Sequence, residues 1–176
     1  MIIRPATTGD TDALAAIYGH HAREGLGTFE EEAPNANEMA RRLGDILAHG
    51  LPYLVAEEAG TVLGFAYAAP FRLRSAYRFT VEDSVYIAPG AQRRGVGKAL
   101  LKDLIARCEA LGLRQMIAVI GDSGNAGSIG LHAALSFDHA GIGRSLGFKH
   151  GRWVDIVWMQ RALNRGDSEP PDLTRA

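Results

Sequence analysis

Residues 85–100 constrain the fold of this chain more than any other segment, since they join a strand-like apolar run, a Pro-Gly turn, a glycine loop and the start of an amphipathic helix. The N–H groups of a helix's first turn lack intrahelical partners, and the helix dipole favours an anion beside them. Gly95 and Gly97 let the loop backbone approach such an anion closely. Three side chains add positive charge there: Arg93, Arg94 and Lys98. The segment predicts a phosphate-binding strand–loop–helix unit, although a glycine turn before an ordinary helix shares part of this pattern.

The spacing of the loop residues separates three known phosphate-binding patterns. A P-loop needs Gly, four residues and then Gly-Lys-Ser/Thr, but Gln92 stands at its first position and Ala99 at its last. The dinucleotide pattern Gly-x-Gly-x-x-Gly fails at Leu100. The pattern Gln/Arg-x-x-Gly-x-Gly/Ala is complete, as Gln92-Arg93-Arg94-Gly95-Val96-Gly97. It is the pyrophosphate loop of the GNAT acyltransferases, which this chain resembles.

Three further segments resemble one branch of that family, the phosphinothricin and methionine-sulfoximine acetyltransferases. Residues 125–132 (NAGSIGLH) are similar to the branch signature N-x-x-S-x-x-L-H. Residues 79–86 (FTVEDSVY) and 147–155 (GFKHGRWVD) also match. The resemblance extends from Ile2 to about Leu163, with a local departure at Ser136, where relatives usually have glycine.

Hydrophobic periodicity predicts the elements around these motifs. We expect helices ending near residue 23 and over 35–49 and 97–111, with a shorter one in the second half of 121–135. We expect strands over 2–6, 53–58, 61–69, 79–87 and 116–120, two more between 137 and 163, and a short strand at Thr28-Phe29. The predicted fold class is α/β (α+β), and the resemblance implies a mixed, mostly antiparallel sheet of six to seven strands with about four helices. We expect one domain over 1–163 and a disordered polar tail over 164–176.

Composition excludes several function classes. With 19 Lys and Arg against 20 Asp and Glu, the chain lacks the basic excess that sequence-blind nucleic acid binding needs. Cys108 is the single cysteine, which excludes an intrachain disulfide and a multi-cysteine metal cluster, and the six histidines lack metal-ligand spacing. The sequence contains neither a signal-peptide pattern nor about 18 consecutive apolar residues. We therefore expect a cytoplasmic protein that binds no metal, membrane or nucleic acid.

The resemblance implies acetyl transfer from acetyl-CoA to a primary amine. An α-amino group has a pKa of about 8, so much of it is protonated at neutral pH and needs a base before it attacks a thioester. Glu82 is the candidate base, and the alternative is that it only binds the substrate ammonium. Strand alternation puts Asp83 on the opposite face with valines, where an unpaired acid is costly to bury. The resemblance also implies a bulge in this strand, which would break the alternation.

The resemblance assigns the acetyl-CoA contacts to three segments: the backbone of residues 85–87 for the pantetheine arm and thioester, the loop 93–98, and the start of the last helix. There, Asn125 and Ser128 contact the CoA arm, cap the helix, or do both. His132 either protonates the leaving thiolate or contacts a substrate. The predicted cofactor-binding residues are Val85, Tyr86, Ile87, Arg93, Arg94, Gly95, Val96, Gly97, Lys98, Asn125 and Ser128.

Fewer residues define the substrate side. Arg72 and Arg74 precede the active-site strand, and a guanidinium group suits a carboxylate or phosphinate, although arginines on an exposed loop are often only solvated. Phe29, in the segment GLGTFEEE, would form a wall of the pocket. The predicted substrate-binding residues are Phe29, Arg72, Arg74, Thr80 and Glu82.

The resemblance favours an N-acetyltransferase for a small amino acid such as phosphinothricin, methionine sulfoximine or methionine sulfone, acting in detoxification. One alternative is another amine, such as a polyamine, an aminoglycoside or a peptide N-terminus, for which acidic pocket residues would be expected. The other is a CoA-binding module without catalysis, which would lack the base and the substrate loop. Members of the branch are commonly homodimers, and residues 153–159 would supply either an interface or a core strand.

Overall fold

The computed structural model describes residues 1–175, which contain seven β-strands and four α-helices. The strands β1 to β7 are Ile2–Pro5, Tyr53–Glu58, Thr61–Pro70, Thr80–Ile87, Gln115–Gly121, Asp138–Lys149 and Arg152–Ala162. The helices α1 to α4 are Thr11–Glu24, Ala36–Ala48, Val96–Ala110 and Ala126–Ala133. One sheet has the order β1-β2-β3-β4-β5-β7-β6, and β4–β5 is its parallel pair. The predicted fold class is confirmed.

The sheet separates two apolar cores, each formed with amphipathic helices. On one face, α3 packs Leu100 and Leu104 against residues such as Met116. On the other face, α1 and α2 bring Leu14 and Leu43 against the sheet. Each of these three helices buries an apolar stripe of the kind that the periodicity predicted. Because both faces of β4 are covered, its alternate side chains meet two different environments.

Strand β4 separates from β5 partway along its length. The parallel pairing begins at Thr80 beside Gln115 and ends at Asp83 beside Ala118, although both strands continue. On its other edge, β4 remains paired with β3 through Ile87, with no shift of register. The expected bulge therefore does not interrupt this ladder, and the side chains alternate strictly. The second half of β4 has backbone groups that β5 does not pair.

The strand expected at Thr28-Phe29 is wrong, since residues 25–34 form an irregular segment. Side chains satisfy the polar groups of this segment. The Thr28 hydroxyl lies 3.0 Å from the Tyr18 hydroxyl, and Lys149 Nζ donates to the Thr28 carbonyl oxygen at 2.8 Å. With these partners, Thr28 makes no ladder with a neighbouring strand.

The chain beyond Leu163 contacts the rest of the domain. Asn164 Nδ2 donates to the carbonyl oxygens of Glu109 and Leu113, and the Arg114 guanidinium donates to those of Gly166 and Glu169. These bonds lie at the C-terminal end of α3. The domain boundary predicted at Leu163 stays a prediction. Among residues 1–175, no helix combines the length and apolar content that crossing a bilayer requires.

Candidate active site

The separation of β4 from β5 opens a cleft of about 540 Å³ beside the first turns of α3 and α4. One wall is β4 over 83–87, and the facing wall is β5 over 118–120. The glycine loop borders the cleft where α3 begins. Because Asp83 and Ala118 are the last paired residues, they form the closed end of the cleft. The cleft thus connects the loop to the point where the two strands separate.

The glycine loop presents unpaired backbone donors to this cleft. Gly95 is the N-cap of α3, and its φ of 81° lies in the left-handed region that glycine adopts without steric cost. Within residues 1–175 no side chain caps this helix, so its first N–H groups are available to a ligand. Arg93 and Lys98 also line the cleft and are exposed. These groups fit the diphosphate of a coenzyme such as CoA.

Every predicted cofactor-binding residue lines the cleft except Arg94. The Arg94 guanidinium instead donates at 2.5 Å to Glu58, the last residue of β2. This ion pair links the loop to the sheet. The predicted coenzyme contact of Arg94 stays a prediction, and in the structure its charge is paired with Glu58.

Asn125 caps α4 at the edge of the cleft. Its Oδ1 accepts the Ser128 backbone N–H at 3.1 Å, and its Nδ2 donates to the Gly121 carbonyl oxygen at 3.4 Å. Asn125 and Ser128 both line the cleft as well. The structure therefore shows the capping function directly, and it leaves both residues in reach of a ligand.

His132 and Asp83 lie at the closed end, buried to 3% and 6% exposure. His132 Nε2 lies 3.0 Å from Asp83 Oδ2, and its Nδ1 lies 2.7 Å from the Ser128 carbonyl oxygen. Burial lowers the pKa of His132, but its hydrogen bond with Asp83 and the charge of that carboxylate outweigh burial and raise the pKa overall. Asp83 Oδ1 is buried without a hydrogen-bond partner among residues 1–175.

Glu82 lies on the other face of β4, towards α1 and α2, as the alternation predicted. It is half-buried beside Ala69 of β3 and does not line the cleft. Burial raises the pKa of Glu82, the positive charge of Arg72 lowers it, and the charge of Asp83 raises it further, with a net increase. A carboxylate with a raised pKa is a better proton acceptor from an ammonium group.

Two of the predicted substrate residues, Arg72 and Thr80, are connected with Glu82 in the structure. Arg72 stacks over the Phe71 ring at 4.3 Å, and its charge acts on Glu82. Thr80 begins β4 on the same face as Glu82. Arg74 is exposed at the start of a 3₁₀ turn, Ser75–Tyr77, so it lies outside the cleft.

Phe29 packs on β6 instead of lining the cleft. A Cβ atom on Gly147 would overlap the Phe29 ring, so the glycine permits this close contact. Lys149, two residues later, is 2% exposed and donates to the Thr28 carbonyl oxygen. Burial lowers the pKa of Lys149, and the charges of Glu31 and Glu30 oppose this effect. Together these contacts attach segment 25–34 to β6.

Sequence reasoning assigned no function to two titratable residues that line the cleft. His21 donates from Nε2 to the Ile87 carbonyl oxygen at 2.9 Å, and burial lowers its pKa. His21 is half-buried on α1, one turn after Ile17, and a polar ring at such a position needs a hydrogen-bond partner. Asp83 was the other, and its position among valines was the available signal that a partner exists. No group of three or more His, Cys, Asp or Glu side chains forms a metal site within residues 1–175.

Comparison with known proteins agrees with this geometry. The phosphinothricin N-acetyltransferase of Alcaligenes faecalis is 56% identical over 170 residues, which cover 97% of this chain and 86% of that protein. The L-methionine sulfoximine/L-methionine sulfone acetyltransferase of Pseudomonas aeruginosa is 37% identical over 169 residues, covering 96% of this chain and 98% of that protein. A crystal structure of a GNAT phosphinothricin acetyltransferase from Sinorhizobium meliloti, in complex with AcCoA, superposes with a TM-score of 0.94. It is 47% identical, covering 98% of this chain and 93% of that one.

The family model described as the acetyltransferase (GNAT) family matches residues 14–137. That range contains the glycine loop, both separated strands and α4. The match covers more than half of the chain, and the relatives extend it over nearly all of the remainder. The chain belongs to the GNAT acetyltransferase family.

Proposed function

We propose that this protein transfers the acetyl group of acetyl-CoA to the α-amino group of a small amino-acid analogue of the phosphinothricin, methionine sulfoximine or methionine sulfone type. One observation carries the proposal: the cleft leads from the glycine loop to the gap between β4 and β5. A diphosphate fits the loop, and an extended amide-containing arm fits beside unpaired strand backbone. The names of the relatives support the substrate class.

The donor side of the proposed site consists mainly of backbone groups. The first N–H groups of α3, with Arg93 and Lys98 beside them, would bind the CoA diphosphate. The edge of β4 over 85–87, which β5 does not pair and where His21 occupies the Ile87 carbonyl oxygen, would bind the pantetheine arm. When bound, the coenzyme supplies an acetyl thioester. Holding it rigidly beside β4 aligns its carbonyl carbon with an amine approaching from the other face.

On the acceptor side, Glu82 is the proposed base. An α-ammonium group, with a pKa of about 8, must lose a proton before its nitrogen attacks. The increase in the pKa of Glu82 brings it closer to the pKa of the amine. A smaller difference between the two pKa values favours proton transfer from the ammonium group to the carboxylate, directly or through a water molecule. Arg72 and Arg74 would pair with the substrate's carboxylate or phosphinate, and Thr80 and Phe29 would border the acceptor site.

We also propose that the protein is a cytoplasmic homodimer that associates through the hairpin of β6 and β7. Strand β6 is the sheet edge, so one row of its backbone groups can pair with another chain. Near the hairpin turn, Phe148 and Trp153 stack edge to face at 5.3 Å and remain 58% and 65% exposed. Large aromatic side chains of this kind are typical of interfaces.

The test of the catalytic proposal is a thiol-release assay with acetyl-CoA and a panel of about twenty amines. We expect turnover with phosphinothricin, methionine sulfoximine and methionine sulfone, and mass spectrometry should place one acetyl group on their α-nitrogen. Preference for polyamines, aminoglycosides or peptide N-termini would contradict the substrate class. Tight acetyl-CoA binding without turnover of any amine would contradict catalysis.

A further inference from the structure

The hydrogen bonds at the closed end of the cleft determine where its protons lie. A carbonyl oxygen only accepts, so His132 Nδ1, 2.7 Å from the Ser128 oxygen, carries a proton. His132 Nε2 lies 3.0 Å from Asp83 Oδ2, and two lone pairs at that distance would repel each other. A second proton therefore lies between these atoms. The pair is either imidazolium with carboxylate or imidazole with carboxylic acid.

The pair is imidazolium with carboxylate, because the ordinary pKa of a histidine, about 6.5, exceeds that of an aspartate, about 3.9, and the shared proton lies on the more basic group. The groups packed against the pair come from β4, α3 and the segment after α4. From β4, Asp83 supplies the charge that contacts the ring, and from the end of α4 the Phe137 ring packs edge-on, with centroids 5.0 Å apart. From α3, the Cys108 thiol feels the charge of Asp83. Burial and then that charge raise the pKa of Cys108 to about 12, so the thiol is neutral. Asp83 is thus the group that retains the second proton on His132.

The position of the pair gives it a mechanical consequence. The β4–β5 ladder ends at Asp83, and beyond it the two strands are held apart without mutual hydrogen bonds. The bond from Asp83 to His132 joins β4 to α4 at this point. The same helix begins with Asn125 and Ser128, which line the cleft. We therefore expect a change in this bond to alter the packing of α4 against β4.

We propose that Asp83 is a positioning residue that shares a proton with His132 and so fixes α4 at the separation from β4 that the pantetheine arm of acetyl-CoA requires. This inference rests on the proposed function, which places that coenzyme in the cleft. Both ring nitrogens of His132 are engaged, so the imidazolium is a cross-link between two elements. It does not deliver the proton that the leaving thiolate takes up.

Two substitutions of Asp83 distinguish a cross-link between α4 and β4 from a proton donor to the thiolate. Asp83→Asn keeps the shape and lets an amide N–H donate to Nε2, but it removes the charge that retains the second proton. Asp83→Ala removes the contact. Asp45→Asn, at an exposed position on α2, is the control for the loss of one carboxylate. The readouts are the NMR signals of the His132 ring, the Kd for acetyl-CoA by calorimetry, and the single-turnover rate at saturating acetyl-CoA.

In the unsubstituted protein we expect His132 to be imidazolium at pH 7, and in Asp83→Asn to be neutral. Charge-assisted hydrogen bonds are about twice as strong as neutral ones, so the Kd should rise a few-fold in Asp83→Asn and at least about tenfold in Asp83→Ala. Saturating acetyl-CoA should restore most of the single-turnover rate in both. Asp45→Asn should match the unsubstituted protein in all three readouts.

A neutral His132 ring in the unsubstituted protein at pH 7 would overturn the proposal. So would a fall of about a hundredfold in the single-turnover rate of Asp83→Asn at unchanged Kd, because that result is typical of a lost general acid. If Asp83→Ala does not fold, Asp83→Asn still tests both the protonation state of His132 and whether the Kd or the single-turnover rate changes. Absence of turnover in the unsubstituted protein would contradict the proposed function instead. The NMR signals of the His132 ring would still show whether His132 shares a proton with Asp83.

Discussion

Glu82 and Asp83 are adjacent carboxylates with different surroundings, because a strand turns successive side chains to opposite faces. Asp83 is paired with His132, whereas Glu82 faces the acceptor side with a raised pKa. Glu82→Gln removes the base but keeps the shape. We expect the rate near pH 7 to fall by about a hundredfold, and less at pH 9, where the amine has lost its proton without help. Initial rates from pH 6 to 9.5 measure this, and an unchanged pH–rate profile would reject the base.

Arg72 provides a second test at the residue scale, because its positive charge acts on both Glu82 and an anionic substrate. Arg72→Ala should raise the KM for an amino-acid substrate by about tenfold, as expected for loss of a charged hydrogen bond. It should also raise the pKa of Glu82 and move the acid limb of the pH–rate profile to higher pH. Arg78→Ala, from the same loop, is the matched control and should change neither. An unchanged KM in Arg72→Ala would contradict the carboxylate clamp.

At the residue scale, the sequence predicts which residues lie in the candidate site better than it predicts which side chains they form hydrogen bonds with. The loop motif identified the cleft residues, and alternation separated Glu82 from Asp83. The pairing of Arg94 with Glu58 and of Asp83 with His132 joins residues 36 and 49 positions apart. Such pairs depend on how α3 and α4 lie against the sheet, and no local pattern specifies that arrangement.

At the scale of elements, the N-terminus of α3 depends on one left-handed residue. A residue other than glycine in this conformation costs about 1 kcal/mol. Gly95→Ala should therefore lower the Tm and raise the KM for acetyl-CoA, because the first-turn N–H groups would shift. Gly90→Ala is a matched control: its φ of 82° is nearly the same, open space also surrounds it, and it does not line the cleft. It should lower the Tm equally without changing that KM. Equal KM increases in both variants would show that loop strain alone is responsible.

Periodicity predicted every α-helix and strand of the structure, and it also predicted a strand at Thr28-Phe29 that does not form. Helices α2 and α3 agree with the prediction within one residue at each end. It could not predict that β4 and β5 separate, because both strands keep their own alternating pattern on either side of that point. The separation depends on tertiary contacts such as the one between His132 and Asp83. Segment 25–34 was misjudged for a similar reason, since Lys149, far along the chain, satisfies its backbone.

At the scale of the whole molecule, the hairpin of β6 and β7 is the surface expected to join two chains. Trp153→Lys would place a charge in the proposed interface, where it would be costly to bury. We expect sedimentation to show a dimer for the unsubstituted protein and a monomer for this variant, with little change in the circular dichroism spectrum. Leu47→Lys, at an exposed position on α2, is the control and should remain a dimer. A monomeric unsubstituted protein would contradict the dimer.

The C-terminal segment tests where the domain ends. A chain ending at Leu163 loses the bonds from Asn164 to the end of α3 and those from Arg114 to residues 166 and 169. Each such bond contributes about 1 kcal/mol, so we expect a loss of roughly 2 to 4 kcal/mol. For a chain of this size, that loss lowers the Tm by roughly 5 to 15 °C.

A chain ending at Pro170 keeps these bonds and should retain the full Tm. Both truncations remove polar residues remote from the cleft, so we expect no effect on activity. The Tm values measured by calorimetry therefore decide where the domain ends. Equal Tm values would mean that the domain ends at Leu163, as composition predicted, whereas a deficit confined to the shorter chain extends the domain to about residue 169.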